Sequence, residues 1–308
     1  MAAPLLIAGT VSALALAPAA SAAAASDDTA AVAAPGQYTT IDVPGAASTV
    51  AVGVNDLGVV SGFYFDSSGN EHGFLDRDGT FSTVDVPGAA DTLLTVTNDL
   101  GTAVGYYIDG NGAAHGFIDR GGRFTTINAP GAGPASGQGT FAANMNNLGV
   151  IAGFSIDSSG VQHGFIDRGG RFTTINAPDA GTAPGEGTSV GYINDLGQVT
   201  GSYTESNGDT IAFAGPAGTF PVVSDPAGPP FSTLTAAIND AGVVVGEYVD
   251  ADGDFHGFAA AHGVFTPVED PAGTAGTNVT AVSNLGVIVG FYVDSNGNFH
   301  GFELSPSR

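Results

Sequence analysis

An all-β fold is expected from this chain, a six-bladed β-propeller with four-stranded blades, and three observations predict it. The first is the tripeptide His-Gly-Phe, which starts at His72, His115, His163, His256 and His300, with Ile211-Ala212-Phe213 in the one gap. Successive copies lie 43, 48, 48, 45 and 44 residues apart. The second is a marker that keeps step with it: Asn55-Asp56-Leu57-Gly58, Asn98-Asp99-Leu100-Gly101, Asn146-Asn147-Leu148-Gly149, Asn194-Asp195-Leu196-Gly197, Asn239-Asp240-Ala241-Gly242 and Ser283-Asn284-Leu285-Gly286. Two markers in register over six copies define a repeat of the length of a propeller blade. The third observation is a permutation of the ends. The last copy stops one strand short, at His300-Gly301-Phe302-Glu303-Leu304. The missing strand stands at the other terminus, where Tyr38-Thr39-Thr40-Ile41-Asp42-Val43 matches Phe124-Thr125-Thr126-Ile127-Asn128-Ala129. Pairing the two completes the sixth blade and removes both open edges.

The elements follow in order. Residues 1–25 hold an apolar run and small residues fitting an A-x-A cleavage site, and read as a secretory signal peptide. Residues 26–37 read as a linker, 38–304 as the propeller, and 305–308 as a tail. In the first copy, strands are expected at Val50 to Val54, Val59 to Phe65, Glu71 to Leu75 and Thr80 to Val86, all rich in β-branched and aromatic residues. The turns between them place Asn or Asp first and Gly fourth, as in Asp66-Ser67-Ser68-Gly69. The side chain caps such a turn and the glycine supplies a positive φ. Much of the acidity is therefore turn chemistry repeated.

Composition excludes several classes of function. Thirty acidic residues stand against six arginines and no lysine, giving a formal charge of −24. That field repels phosphate backbones, so nucleic acid is not expected as a partner. There is no cysteine, hence no disulfide framework, thiolate nucleophile or thiolate metal site. After the signal peptide no apolar run is long enough for a bilayer, so no membrane insertion is expected. A monomer is expected.

The combination of His-Gly-Phe, Asn-Asp-Leu-Gly and Thr-Thr-Ile-Asp-x-Pro-Gly-Ala resembles the bacterial extracellular HAF repeats, over residues 38–304. Five copies carry Gly where that family has the Ala of His-Ala-Phe, and the fourth keeps Ala but lacks His. The resemblance implies a secreted or surface-associated protein. It implies no catalytic residues.

Repetition assigns His72, His115, His163, His256 and His300 a structural hydrogen bond to a neighbouring turn or strand. In the fifth copy Asp250, Asp252 and Asp254 alternate in a glycine turn, a candidate Ca²⁺ site, since that ion takes roughly six to eight oxygens. Arg77, Arg120, Arg123, Arg168 and Arg171 all fall between the third and fourth strands of the first three copies. Local ion pairs with neighbouring aspartates, or an arc that binds a carboxylate or an anionic sugar, are both open. The links 131–139 and 179–187 are longer than the others, and they share a face with the Asp-Ser-Ser-Gly type turns, opposite the arginine turns and the Asn-Asp-Leu-Gly turns. The divergent fourth and fifth copies add Glu186, Glu205, Asp209 and Asp225 as a possible ligand face.

No singular reactive constellation appears. The leading expectation is a secreted binding or adhesion module for an extracellular glycan or protein. The alternatives are a secreted hydrolase or lyase acting on a polysaccharide in the axial funnel, and a structural component of the cell surface or matrix.

Overall fold

The computed structural model describes residues 36–224, 233–250 and 254–306. The expected signal peptide, nearly all of the linker, Asp225, Asp252 and the last two residues of the tail lie outside these. The described residues contain strands and turns but no helix, so no helix is long and apolar enough to cross a membrane.

The N-terminal strand β1 (Gln37–Ile41) is followed by six antiparallel units in chain order. Repeat one holds β2 (Ser48–Val54), β3 (Val59–Phe65), β4 (Glu71–Arg77) and β5 (Thr80–Val84), close to the expected strands. Repeat two holds β6 (Asp91–Thr97), β7 (Ala103–Ile108), β8 (Ala114–Asp119) and β9 (Phe124–Ile127). Repeat three holds β10 (Gly139–Met145), β11 (Ile151–Ile156), β12 (Gln162–Asp167) and β13 (Phe172–Ile175). Repeat four holds β14 (Gly187–Ile193), β15 (Gln198–Thr204) and β16 (Thr210–Pro216). Repeat five holds β17 (Thr233–Ile238), β18 (Val244–Val249), β19 (Phe255–Ala261) and β20 (Val264–Val268). Repeat six holds β21 (Thr277–Val282), β22 (Ile288–Val293) and β23 (Phe299–Ser305), with β1 paired antiparallel to β23 from Gln37↔Ser305 to Ile41↔Gly301.

Repeat four corrects the expectation of four strands in every unit. Its fourth strand shrinks to one bridge, Phe213↔Val222, with Ala214 N–H donating to the Pro221 carbonyl. Proline has no N–H to return to the ladder, so the pairing stops there.

The same side chains build each unit. The Phe of the third strand is buried (Phe74, Phe117, Phe165, Phe213, Phe258, Phe302). It meets an aromatic ring from the fourth strand, as in Phe74–Phe81, Phe117–Phe124 and Phe165–Phe172. In repeat six that partner is Tyr38 of β1, at 5.6 Å from Phe302. A buried Thr opens the first strand, and in Thr49, Thr92, Thr140, Thr188 and Thr277 its hydroxyl accepts an N–H from the preceding link.

Two features arrange the units about one axis. The first strands contact one another in the cycle β2, β6, β10, β14, β17, β21 and back to β2. Their second-marker turns are joined by backbone N–H donors: Asp56 to Asp99, Asp99 to Asn147, Asn147 to Asp195, Asp195 to Asp240, Asp240 to Asn284, and Asn284 to Asp56. Each first strand also carries a β-bulge, which leaves one residue out of the ladder: Val52, Thr95, Ala143, Gly191, Ala236 and Thr280. A bulge re-aims its extra residue. Here all six are turned into the centre.

Candidate functional site: an axial cavity

Those bulge residues form one ring of a central cavity of about 560 Å³. It lies toward the end of the axis where the first strands begin. At the other end the Asn-Asp turns leave only about 50 Å³. A second ring comes from the second strands, one residue beyond a glycine that lies under the buried Phe in most repeats. In repeats one to six it reads Phe63, Tyr106, Phe154, Ser202, Glu247 and Phe291, and all six line the cavity. Side chains alternate across a strand, so the residue after a core-facing glycine faces the axis.

The rings break the repeat symmetry sharply. Repeats one, two, three and six contribute aromatic rings, and Phe141 stacks on Phe154 at 4.7 Å with the planes 8° apart. Repeats four and five contribute Ser202 and Glu247, with Ser189 and Thr235 nearby in the lining. The second-strand ring thus has an aromatic arc and a polar arc, while Tyr192 and Phe255 bring aromatic rings to the lining from repeats four and five as well. Glu247 is its one carboxyl among the described residues. It is deep in the molecule but partly accessible from the cavity, and burial lifts it to about 7.

The residues singled out by sequence lie elsewhere. Each of the five motif histidines is clamped outside the cavity. His72 stands between Asp85 at 2.9 Å (Nδ1) and Asp66 at 3.6 Å (Nε2). His256 stands between Glu269 and Asp250, and His300 between Asp42 and Asp294. His115 and His163 meet Asn128 and Asn176 through Nδ1, and Asp109 and Asp157 through Nε2. Tyr64, Tyr107, Tyr248 and Tyr292 stack on the rings of His72, His115, His256 and His300.

None of Glu186, Glu205 and Asp209 lines the cavity. Glu186 accepts the Ala183 N–H across its link, as Gln138 does with Ala135 in the matching link of repeat three. Glu205 and Asp209 bracket the β15–β16 turn, where Glu205 N–H donates to the Asp209 carbonyl and Asp209 Oδ2 accepts from Asn207. In the calcium candidate, Asp250 accepts the Asp254 N–H at 3.0 Å and faces His256, while Asp252 lies outside the described residues. Among the described residues no three His, Asp or Glu side chains converge as a metal-binding group.

The arginines do not form the local ion pairs that their spacing allowed: all five are exposed, and the ion pairs among the described residues involve histidines only. Asp119 and Asp167 are instead turned inward, where they accept the N–H groups of Gly122 and Gly170.

The titrating groups set an acid-side optimum of stability. Partial burial opposes charge on His72, His256 and His300, but the flanking carboxylates outweigh it and raise all three above the ordinary imidazole value of 6.5. Their stabilisation is complete below about 6.5 and is lost as pH rises through the raised folded-state values. Burial lifts Glu71, like Glu247, to about 7, so both lose stabilisation as pH rises from 4.5 to about 7. Turn amides hold Asp66 down at about 2 and lower Asp109, Asp157 and Asp294, whose contribution disappears below 3.8. The melting temperature should therefore peak near about pH 4–5 and fall steadily toward about pH 8. A calorimetric series with a flat or rising trend between those limits would contradict these assignments.

No family model and no curated protein matches the chain. Its fold is similar to that of solved structures. A mutant of AofleA from Arthrobotrys oligospora gives a TM-score of 0.51 at 12% identity, over 86% of this chain and 85% of that one. The fungal lectin of Aleuria aurantia, described as a six-bladed β-propeller with a novel fucose recognition mode, gives 0.50 at 12% identity, over 84% of this chain and 96% of that one. At such identities the likeness supports the β-propeller fold alone.

Proposed function

We propose that the chain is a secreted, closed six-bladed propeller that binds an extracellular glycan in its axial cavity. The observation that carries this reading is the division of the cavity's second-strand ring into an aromatic arc and a polar arc. A sugar ring has the same division, with apolar C–H faces and hydroxyl edges. Small-molecule sites combine a mostly apolar lining with a few placed polar groups. The fold likeness to a fucose-recognising lectin supports a saccharide ligand, and the resemblance to HAF repeats supports an extracellular setting. Binding rather than hydrolysis is favoured because glycoside hydrolysis generally takes two carboxyl groups, and Glu247 is the one that the described lining supplies.

A glycan array followed by calorimetric titration of the hits tests the proposal. Phe154→Ala and Ser202→Val should each weaken binding by about tenfold, ~1.4 kcal/mol. His163→Ala, outside the cavity, should leave affinity unchanged in folded protein. A blank array, or hits indifferent to both cavity variants, would reject the axial site.

A further inference from the structure

Resting on that reading of the cavity as a saccharide site, we infer that the saccharide carries a free amine: Glu247, set in one ring with four aromatic side chains, is the counter-ion for the ammonium group of an amino sugar. Among the described residues the cavity lacks a partner for this carboxyl. Glu247 makes no hydrogen bond or ion pair with any described residue. Its cross-strand partners are Leu234 on β17 and Gly257 on β19, neither of which titrates. Packed against repeat five, β15 and β21 bring Ser202 and Asn278 to the lining, again without charge. Among the described residues, the remaining titratable groups of the lining are the phenols of Tyr106 and Tyr192. A carboxylate in such surroundings is costly until an opposite charge arrives. A ligand ammonium supplies that charge.

Two further observations point to a cation. Phe63, Tyr106, Phe154 and Phe291 occupy four of the other five places of Glu247's own ring, and the faces of aromatic rings attract cations. Outside the cavity, the same end of the molecule carries the turn and link carboxylates, among them Asp66, Asp109, Asp157 and Asp294, while all five described arginines lie in or at the edge of turns at the opposite end. With a formal charge of −24 behind it, that end attracts cationic ligands and repels uronate or sulfated glycans. Burial alone keeps Glu247 near 7, so an ammonium drawn into the cavity ionises the carboxyl. Binding at mildly acid pH, where the ligand amine arrives already protonated and the carboxyl does not yet carry its charge, should then release a proton from the protein.

The test uses β-1,4-linked oligosaccharides of equal length that differ only at C2: an amine, an acetamide or a hydroxyl. Titration calorimetry of the whole protein should find the amine form at least about tenfold tighter than the other two. Repeating the titration in buffers of different ionisation enthalpy should reveal the released proton. Glu247→Gln should abolish both the preference and the proton while leaving the neutral forms bound as before. If that variant does not fold, Glu247→Ser, which copies the residue of repeat four, takes its place. Equal affinity for the three forms overturns the inference and leaves the saccharide reading standing. So does a preference that survives in the Glu247 variant, because it then belongs to the acidic rim. Tetramethylammonium separates the last cases. If it binds wild type but not Glu247→Gln while no oligosaccharide binds, the saccharide reading falls and a bare organic-cation site remains. If no probe binds, both readings fall.

Discussion

Removing residues 38–43 should leave most of the protein aggregated, with any soluble remainder melting at least about 10 °C lower than wild type. The deletion takes away most of the ladder from Gln37↔Ser305 to Ile41↔Gly301 and uncovers one whole edge of β23. It also removes the buried Ile41, the Tyr38 ring packed on Phe302, and Asp42, which holds His300 at 3.0 Å. Loss of a buried isoleucine alone costs about 2–5 kcal/mol, and an aromatic pair adds about 0.5–1.5 kcal/mol. In a chain of this size each kcal/mol lowers the melting temperature by about 2–4 °C. The exposed strand edge then offers its N–H and C=O groups to another molecule. Size-exclusion chromatography and a thermal melt decide the matter. A monomer with an unchanged melting temperature would mean that β1 does not hold the ends together, and the closed ring would fall with it.

Much of the fold was legible because its grammar is chemical and repeated. Asn55 of the second marker accepts the N–H groups of Leu57 and Val59 with its own side chain, and Gly58 has a positive φ of 74°. Few residue pairs satisfy both demands, so they recur in sequence wherever the turn recurs in space. The permuted strand was legible for the same reason: Tyr38 and Asp42 do for repeat six what Phe81 and Asp85 do for repeat one.

The cavity was not legible in this way. Its defining ring sits inside regular strands, at positions whose neighbours vary little, and most of its members are aromatic residues that read as core. The informative signal is the residue after the second-strand glycine, where Ser202 and Glu247 stand in place of the aromatic that the other four repeats carry. Glu186 illustrates why charged and loop residues mislead: its carboxylate closes its own link, a local task that leaves the same trace in sequence as a ligand contact. The first-strand bulges were hidden too, because one extra residue per strand alters no motif spacing that the markers measure.

A single added methyl separates close packing from open cavity. Gly153→Ala should cost about 3 kcal/mol, the upper end of ordinary overpacking, and lower the melting temperature by about 6–12 °C. Its new Cβ would collide with the Phe141 carbonyl oxygen and stand 2.9 Å from Cζ of Phe165. Neither neighbour can retreat. The carbonyl belongs to β10, laddered to β11 on that side, and Phe165 is buried against Phe172 with centroids 5.3 Å apart. Gly191→Ala is the matched control, since Gly191 is the bulge residue of β14 and faces the cavity. There the nearest atoms to a new Cβ are Ala236 O at 3.6 Å and Thr200 O at 4.0 Å, ordinary van der Waals separations. Repeats three and five already hold alanine at that place, Ala143 and Ala236. The control should therefore melt within about 2 °C of wild type, as a change of roughly 0.5 kcal/mol permits. Equal losses in the two variants would show that the bulge ring is packed shut, and the axial cavity would have to be abandoned as a binding site.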